Sequence, residues 1–179
     1  SEVLGIRDPA FKQNFELSFF AIFMNFYDFH LSCWRFETIM PNVLLAHLHK
    51  ENALAYMKSG QYKDAHSEWT SAKKHYTQCK EQLKLWTWKL PELNYSILQK
   101  GWHISHEHLC DGFLHLATLS VGIEKETSSK VLYTVSQRAV RSFAASIENW
   151  SNVDVPLHLA EAMRYYYSAD MLWDAELYG

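Results

Sequence analysis

The chain has 179 residues, 48% of them apolar and 21% charged, a size that suits one ordinary domain and a balance that excludes a disordered or collagen-like chain. A formal charge of -3 supplies no broad positive field, so no nucleic acid is expected as a partner. Six glycines and four prolines are too few for a sheet protein with many tight turns, which points to an all-α chain forming a single helical domain over 1–179.

Cys33, Cys79 and Cys110 are widely spaced and include no Cys-x-x-Cys pair, so reduced thiols and a cytoplasmic setting are expected. The longest apolar run, from Leu17 to Met24 with Ser18 inside it, falls short of the roughly 20 residues that span a bilayer, so no transmembrane segment is expected. The first residues also lack the basic stretch of a signal peptide.

In chain order, residues 1–31 read two ways. Phe15, Leu17, Phe19, Ala21 and Phe23 alternate as a strand does, whereas the dense run Phe19 to Phe29 suits a buried helix, so a short N-terminal strand region stays open. The four prolines then mark boundaries between long helical segments. From Asn42 to Lys58, Leu45, Leu48 and Ala55 share one helix face, and Ser59-Gly60 supplies the stop. A second helix runs from Tyr62 to about Trp88, with Tyr62, Ala65, Trp69, Ala72 and Tyr76 on one stripe and Lys63, Glu68, Lys73 and Lys74 largely opposite. The two form an antiparallel hairpin.

After Pro91 a long helix is expected over Leu93 to about Leu119, with Gly101 and Gly112 marking either a break or a close helix contact. The polar stretch Glu124 to Ser129 forms a loop and offers an N-cap. Leu132, Val135, Ala139, Phe143, Ile147 and Trp150 then repeat at helical spacing. A last helix opens near Asp154 and Pro156 and carries Leu159, Met163, Tyr166 and Trp173.

The spacing Gly60-x-Tyr62-x-x-Ala65-x-x-x-Trp69-x-x-Ala72 resembles the second helix of a tetratricopeptide hairpin, but no 34-residue period continues on either side. His103, His106, Glu107, His108 and Cys110 are good metal-ligand types, with His103/Glu107 and His106/Cys110 at i, i+4. They are spread around the helix, however, and form no His-Glu-x-x-His pattern, so no metal site and no cofactor is expected. No phosphate loop, nucleophile elbow or dinucleotide fingerprint is present, and the chain reads as a binding protein rather than an enzyme. Seven Trp, ten Tyr and ten Phe exceed the needs of one small core and lean the same way. On the helix near 130–150, the row Ser128, Val131, Val135, Arg138, Ser142 leaves Val131 and Val135 at the edge of a polar face. Either a neighbouring helix covers them or they form a surface patch.

The order of elements resembles the Bro domain family, the helical domain of Alix-type endosomal adaptors, shortened to its central half. Phe23-Met24-Asn25-Phe26-Tyr27-Asp28 looks like the family's Phe-x-Trp-x-Asp segment, and Leu48 to Ala55 is similar to its Leu-Phe-Asn-x-Ala-Ala helix. Ala72-Lys73-Lys74-His75-Tyr76, the segment His108 to Ala117, Lys130 to Phe143 and Tyr165-Tyr166-Tyr167 resemble the helices that follow. The resemblance implies a tetratricopeptide-like helical arrangement and an adaptor function in endosomal sorting or membrane remodelling, with recruitment to endosomal membranes. It further implies that an amphipathic helix of an ESCRT-III-type protein binds at Phe113, Val131 and Val135. Two other readings stand beside it. One is a self-associating helical scaffold without ESCRT binding. The other is a metal-dependent helical enzyme built on His103, His106, His108 and Cys110.

Overall fold

A computed structural model describes residues 9–85 and 96–178. Among them are five α-helices and no strand: α1 Pro9–Lys58, α2 Tyr62–Leu85, α3 Lys100–Glu124, α4 Ser129–Asn149 and α5 Leu157–Tyr178, with a 3-10 turn at Ser96–Leu98 before α3. The all-α class is therefore observed. The segment left open between strand and helix is helical from Pro9 onward. The expected end of the second helix at Trp88 and the start of the third at Leu93 lie outside the described residues. By its contacts the chain divides into two compact units, one ending at Thr38 and one taking the described residues from Ile39 onward.

Pro41 does not end a helix, as its use as a boundary marker implied, but sits inside α1. Pro41 and Glu37, four residues earlier, both lie on the exposed side, so the backbone carbonyl that loses its amide partner does so away from the core. α1 stops where Ser59-Gly60 was expected to stop it. Gly60 takes φ +74, its N–H donates to Met57 O at 3.3 Å, and the Gln61 N–H donates to Tyr56 O at 2.9 Å. That pair of bonds is a Schellman cap, and its left-handed residue favours glycine.

In the second unit the hairpin packs small residues against large ones. α2 buries Ala65, Trp69, Ala72, Tyr76 and Cys79, largely the stripe read from spacing. The face that α1 turns inward is not Leu45, Leu48 and Ala55, which are exposed, but Ile39, Val43, Ala46 and Ala53. The reason is steric: Trp69 and Tyr76 fill the space between the helices and leave room opposite them only for alanine at positions 46 and 53. Polar pairs along the seam set its register, with His75 Nδ1 3.0 Å from Asn42 Oδ1 and His49 Nδ1 2.8 Å from Glu68 Oε2.

α2, α3, α4 and α5 pack in succession, and the short α3–α4 and α4–α5 connections make each of the last two helices run back along its predecessor. α3 and α4 approach closely because their facing residues are small. A side chain at Gly101 would lie 3.1 Å from Asn149 O, and one at Gly112 would lie 2.3 Å from the Phe143 ring. Between them Ser105 and Ser146 exchange hydrogen bonds, Ser105 Oγ donating to Ser146 O at 2.7 Å and Ser146 Oγ donating to Ser105 O at 2.8 Å. The two glycines thus mark close contact and no break.

The same packing shifts the inward row of α4 from the expected one. Leu132, Ala139 and Phe143 are buried as expected, but Ser136 and Ser146 join them, while Val135, Ile147 and Trp150 are half-buried. On α5 the inward residues are Ala160, Met163 and Tyr167, and Leu159, Tyr166 and Trp173 point outward. A one-residue rotation of the inward row is enough to exchange these sets. Met57 and Phe113 pack against both the α1–α2–α3 core and the α3–α4–α5 core and join them.

Candidate functional site

Along α1, Lys50, Leu54 and Met57 recur at i, i+4 and i+7, and along α3, Leu109, Phe113 and Leu116 do the same. These two rows line a cavity of about 430 Å³ together with Trp69 from α2, Asp154 and Pro156 from the connection before α5, and Leu159 from the first turn of α5. The volume falls in the range of sites that hold a ligand or several anchoring side chains. Its lining is apolar except for Lys50 and Asp154. The Phe113 ring stacks on Trp69, centroids 4.4 Å apart and planes 4° from parallel, and meets Phe143 edge-on at 5.4 Å. Half-buried Phe113 is therefore both a wall of the cavity and a part of the core.

Of the three residues expected at a partner site, Phe113 lines this cavity and Val131 and Val135 do not. Val131 is 49% exposed on α4, while Val135 is half-buried and packs against the α3–α4–α5 core. Val131 is thus exposed and Val135 covered. Lys50, Leu54, Met57, Leu109, Leu116 and Leu159 were not singled out from sequence. The signal available for them was the identical i, i+4, i+7 spacing on two helices, which carries meaning only once those helices are known to lie side by side.

Three residues of the histidine cluster, His103, His106 and Glu107, are engaged elsewhere. The His103 ring lies with Nε2 2.6 Å from Ile97 O, and His106 with Nδ1 2.8 Å from Trp102 O. Glu107 accepts from Lys80 Nζ through both oxygens, at 2.7 and 2.6 Å, and from Thr77 Oγ1 at 2.5 Å. Among the described residues no group of three or more His, Cys, Asp and Glu side chains is placed to hold a metal ion. Burial, reinforced by the Asp111 charge, pushes the Cys110 thiol up, which opposes the thiolate that metal ligation or nucleophilic attack requires.

Burial pushes the His106 imidazole down from 6.5 to about 4, against its hydrogen bond to Trp102, and burial lowers His103 as well. A base with a lowered folded pKa is protonated first in the unfolded chain. Its contribution is complete above the unfolded value of 6.5 and is lost as pH falls towards 4. At about pH 5 His106 alone accounts for roughly 2 kcal/mol of lost stability. Urea unfolding at pH 7.5 and 5.0 checks this. The parent chain loses stability on acidification and His106→Gln loses distinctly less, and equal losses in the two would refute the assignment.

Comparison with protein-family models, curated proteins and solved structures finds no match for the chain. The fold defines an all-α protein of successively packed helices with an apolar cavity in its second unit. Among the described residues no helix is long and apolar enough to cross a membrane.

Proposed function

We propose that the chain is a protein-interaction domain that receives an amphipathic helix in the cavity between α1 and α3. The observation that carries this reading is the pair of rows at i, i+4, i+7, apolar except for Lys50, that line one cavity, a spacing that matches the anchors of an incoming helix. The partner class follows from the resemblance to the Bro domain family and is the C-terminal amphipathic helix of an ESCRT-III-type subunit. Phe113, which that resemblance puts at the centre of the partner site, is a wall of the cavity. In this reading the function is that of an adaptor in endosomal sorting or membrane remodelling, and no chemistry is required of the site.

The test is a fluorescence-anisotropy titration of such a helix with the full chain. Phe113→Asp is a poor probe because it would place a charge beside Trp69 and Phe143 in the core. Leu159→Asp is better, since Leu159 is 51% exposed and lines the cavity. Leu159→Asp is expected to weaken binding at least about tenfold, equivalent to about 1.4 kcal/mol, while Val131→Asp leaves it nearly unchanged. The reverse result would move the site to the outer face of α4. No binding by the parent chain at roughly 100 µM helix would remove the reading altogether.

A further inference from the structure

The first unit carries an apolar surface that the adaptor reading does not use. Between Leu17 and Trp34, ten large apolar side chains are each at least 38% exposed, among them Phe19, Phe20, Ile22, Phe23, Phe26 and Phe29. They are ordered on the helix. Phe19, Ile22, Phe26, Phe29 and Cys33 follow one 3-4-3-4 seam, and Phe20, Met24, Tyr27, Leu31 and Trp34 follow a second, 4-3-4-3 seam. At about 100° per residue the centres of the two seams lie roughly 140° apart, with Phe23 between them. Ser18, Ala21 and Asn25 take the remaining strip.

A heptad seam is the surface one neighbouring helix covers by knobs-into-holes packing, and two seams on one helix need two neighbours. We propose that the chain assembles with further copies of itself, through the two seams of residues 17–34, into a bundle of three or more helices. In such a ring each copy offers one seam to the copy before it and the other to the copy after it, and the small and polar strip stays outside. The area supports it. At about 100 Å² for each partly exposed side chain, the segment presents roughly 1,000 Å². That exceeds the apolar patches of about 300–600 Å² usual on monomers, and with about 500 Å² from each of two facing seams every contact in the ring buries roughly 1,000 Å² in total, the lower bound for a specific interface.

Charge argues against a lipid surface as the cover. Residues 13–34 contain no Lys or Arg, whereas helices that lie on membranes carry cations on their polar face. The experiment is sedimentation equilibrium of the full chain at about 10–100 µM, a range set by ordinary oligomer affinities, against its monomer mass of 21.0 kDa. Three or more times that mass is expected, and a monomer or a dimer would overturn the proposal. Phe19→Glu/Phe26→Glu strikes one seam, Phe20→Glu/Met24→Glu strikes the other, and each pair is expected to reduce the assembly to dimers or monomers. Ala21→Glu, on the outer strip, is expected to leave the mass unchanged. Seam variants that keep the parent mass would overturn the assignment. So would a monomeric parent that floats with phosphatidylcholine vesicles and loses this on the same substitutions.

Discussion

Replacing Trp69 with alanine is expected to lower the unfolding free energy by about 3–5 kcal/mol, enough to unfold much of a marginally stable population. Trp69 is fully buried, stacks on Phe113 and shares the α1–α2 core with Ala46 and Ala53. Trp69→Phe is expected to cost far less. It keeps a ring against Phe113 and removes an indole N–H that is buried without a hydrogen-bond partner, so the desolvation of that group is recovered. Urea unfolding of the two variants checks this. A phenylalanine variant as unstable as the alanine variant would mean that the volume of the indole, and not a ring stacked on Phe113, holds the hairpin together. Because Trp69 lines the cavity, the same series tests whether a folded chain with a larger cavity still binds a helix.

Lys80→Met is expected to cost about 2–3 kcal/mol, at the lower end for breaking a buried pair because Lys80 keeps 20% of its side chain exposed. The substitution leaves the Glu107 carboxylate, only 10% exposed, with Thr77 as its remaining donor. The double variant Lys80→Met/Glu107→Leu is expected to recover most of that loss. It removes both charges, and Thr77 Oγ1 still has Lys73 O at 3.0 Å to accept from it. A double variant no more stable than Lys80→Met would show that the ion pair itself, and not the stranded carboxylate, carries the energy. The measurement also bears on what Glu107 does among the histidines, where its oxygens are taken by a cation from α2.

How much of this was readable in advance differs from helix to helix. On α2 the 4-3-4 row of Ala65, Trp69, Ala72 and Tyr76 is mostly apolar and its opposite face mostly charged, so spacing alone located the buried side. On α1 apolar residues occur on every face between 42 and 58. The choice of Ala46 and Ala53 over Leu45 and Leu48 was made by the bulk of the partner helix, which periodicity does not contain. α5 shows the same effect, with apolar or aromatic residues at adjacent positions such as Leu159/Ala160 and Tyr166/Tyr167. Gly101 and Gly112 signalled something unusual on α3. Whether that was a break or a close approach depended on Phe143 and Asn149, more than thirty residues away.

By itself the sequence determined the helical class, the hairpin turn at Gly60 and the inward stripe of α2. Each of these depends on interactions within a few residues: turn conformation, capping and the 3.6-residue period. Tertiary structure alone decided which apolar face of α1 and α5 turns inward, and that Phe113 shares a cavity with Leu54, Met57 and Leu159 while Val131 stays outside it. Those outcomes are set by shape complementarity between residues distant in the chain, where a single alanine opposite a tryptophan outweighs the hydrophobicity of a leucine one position away.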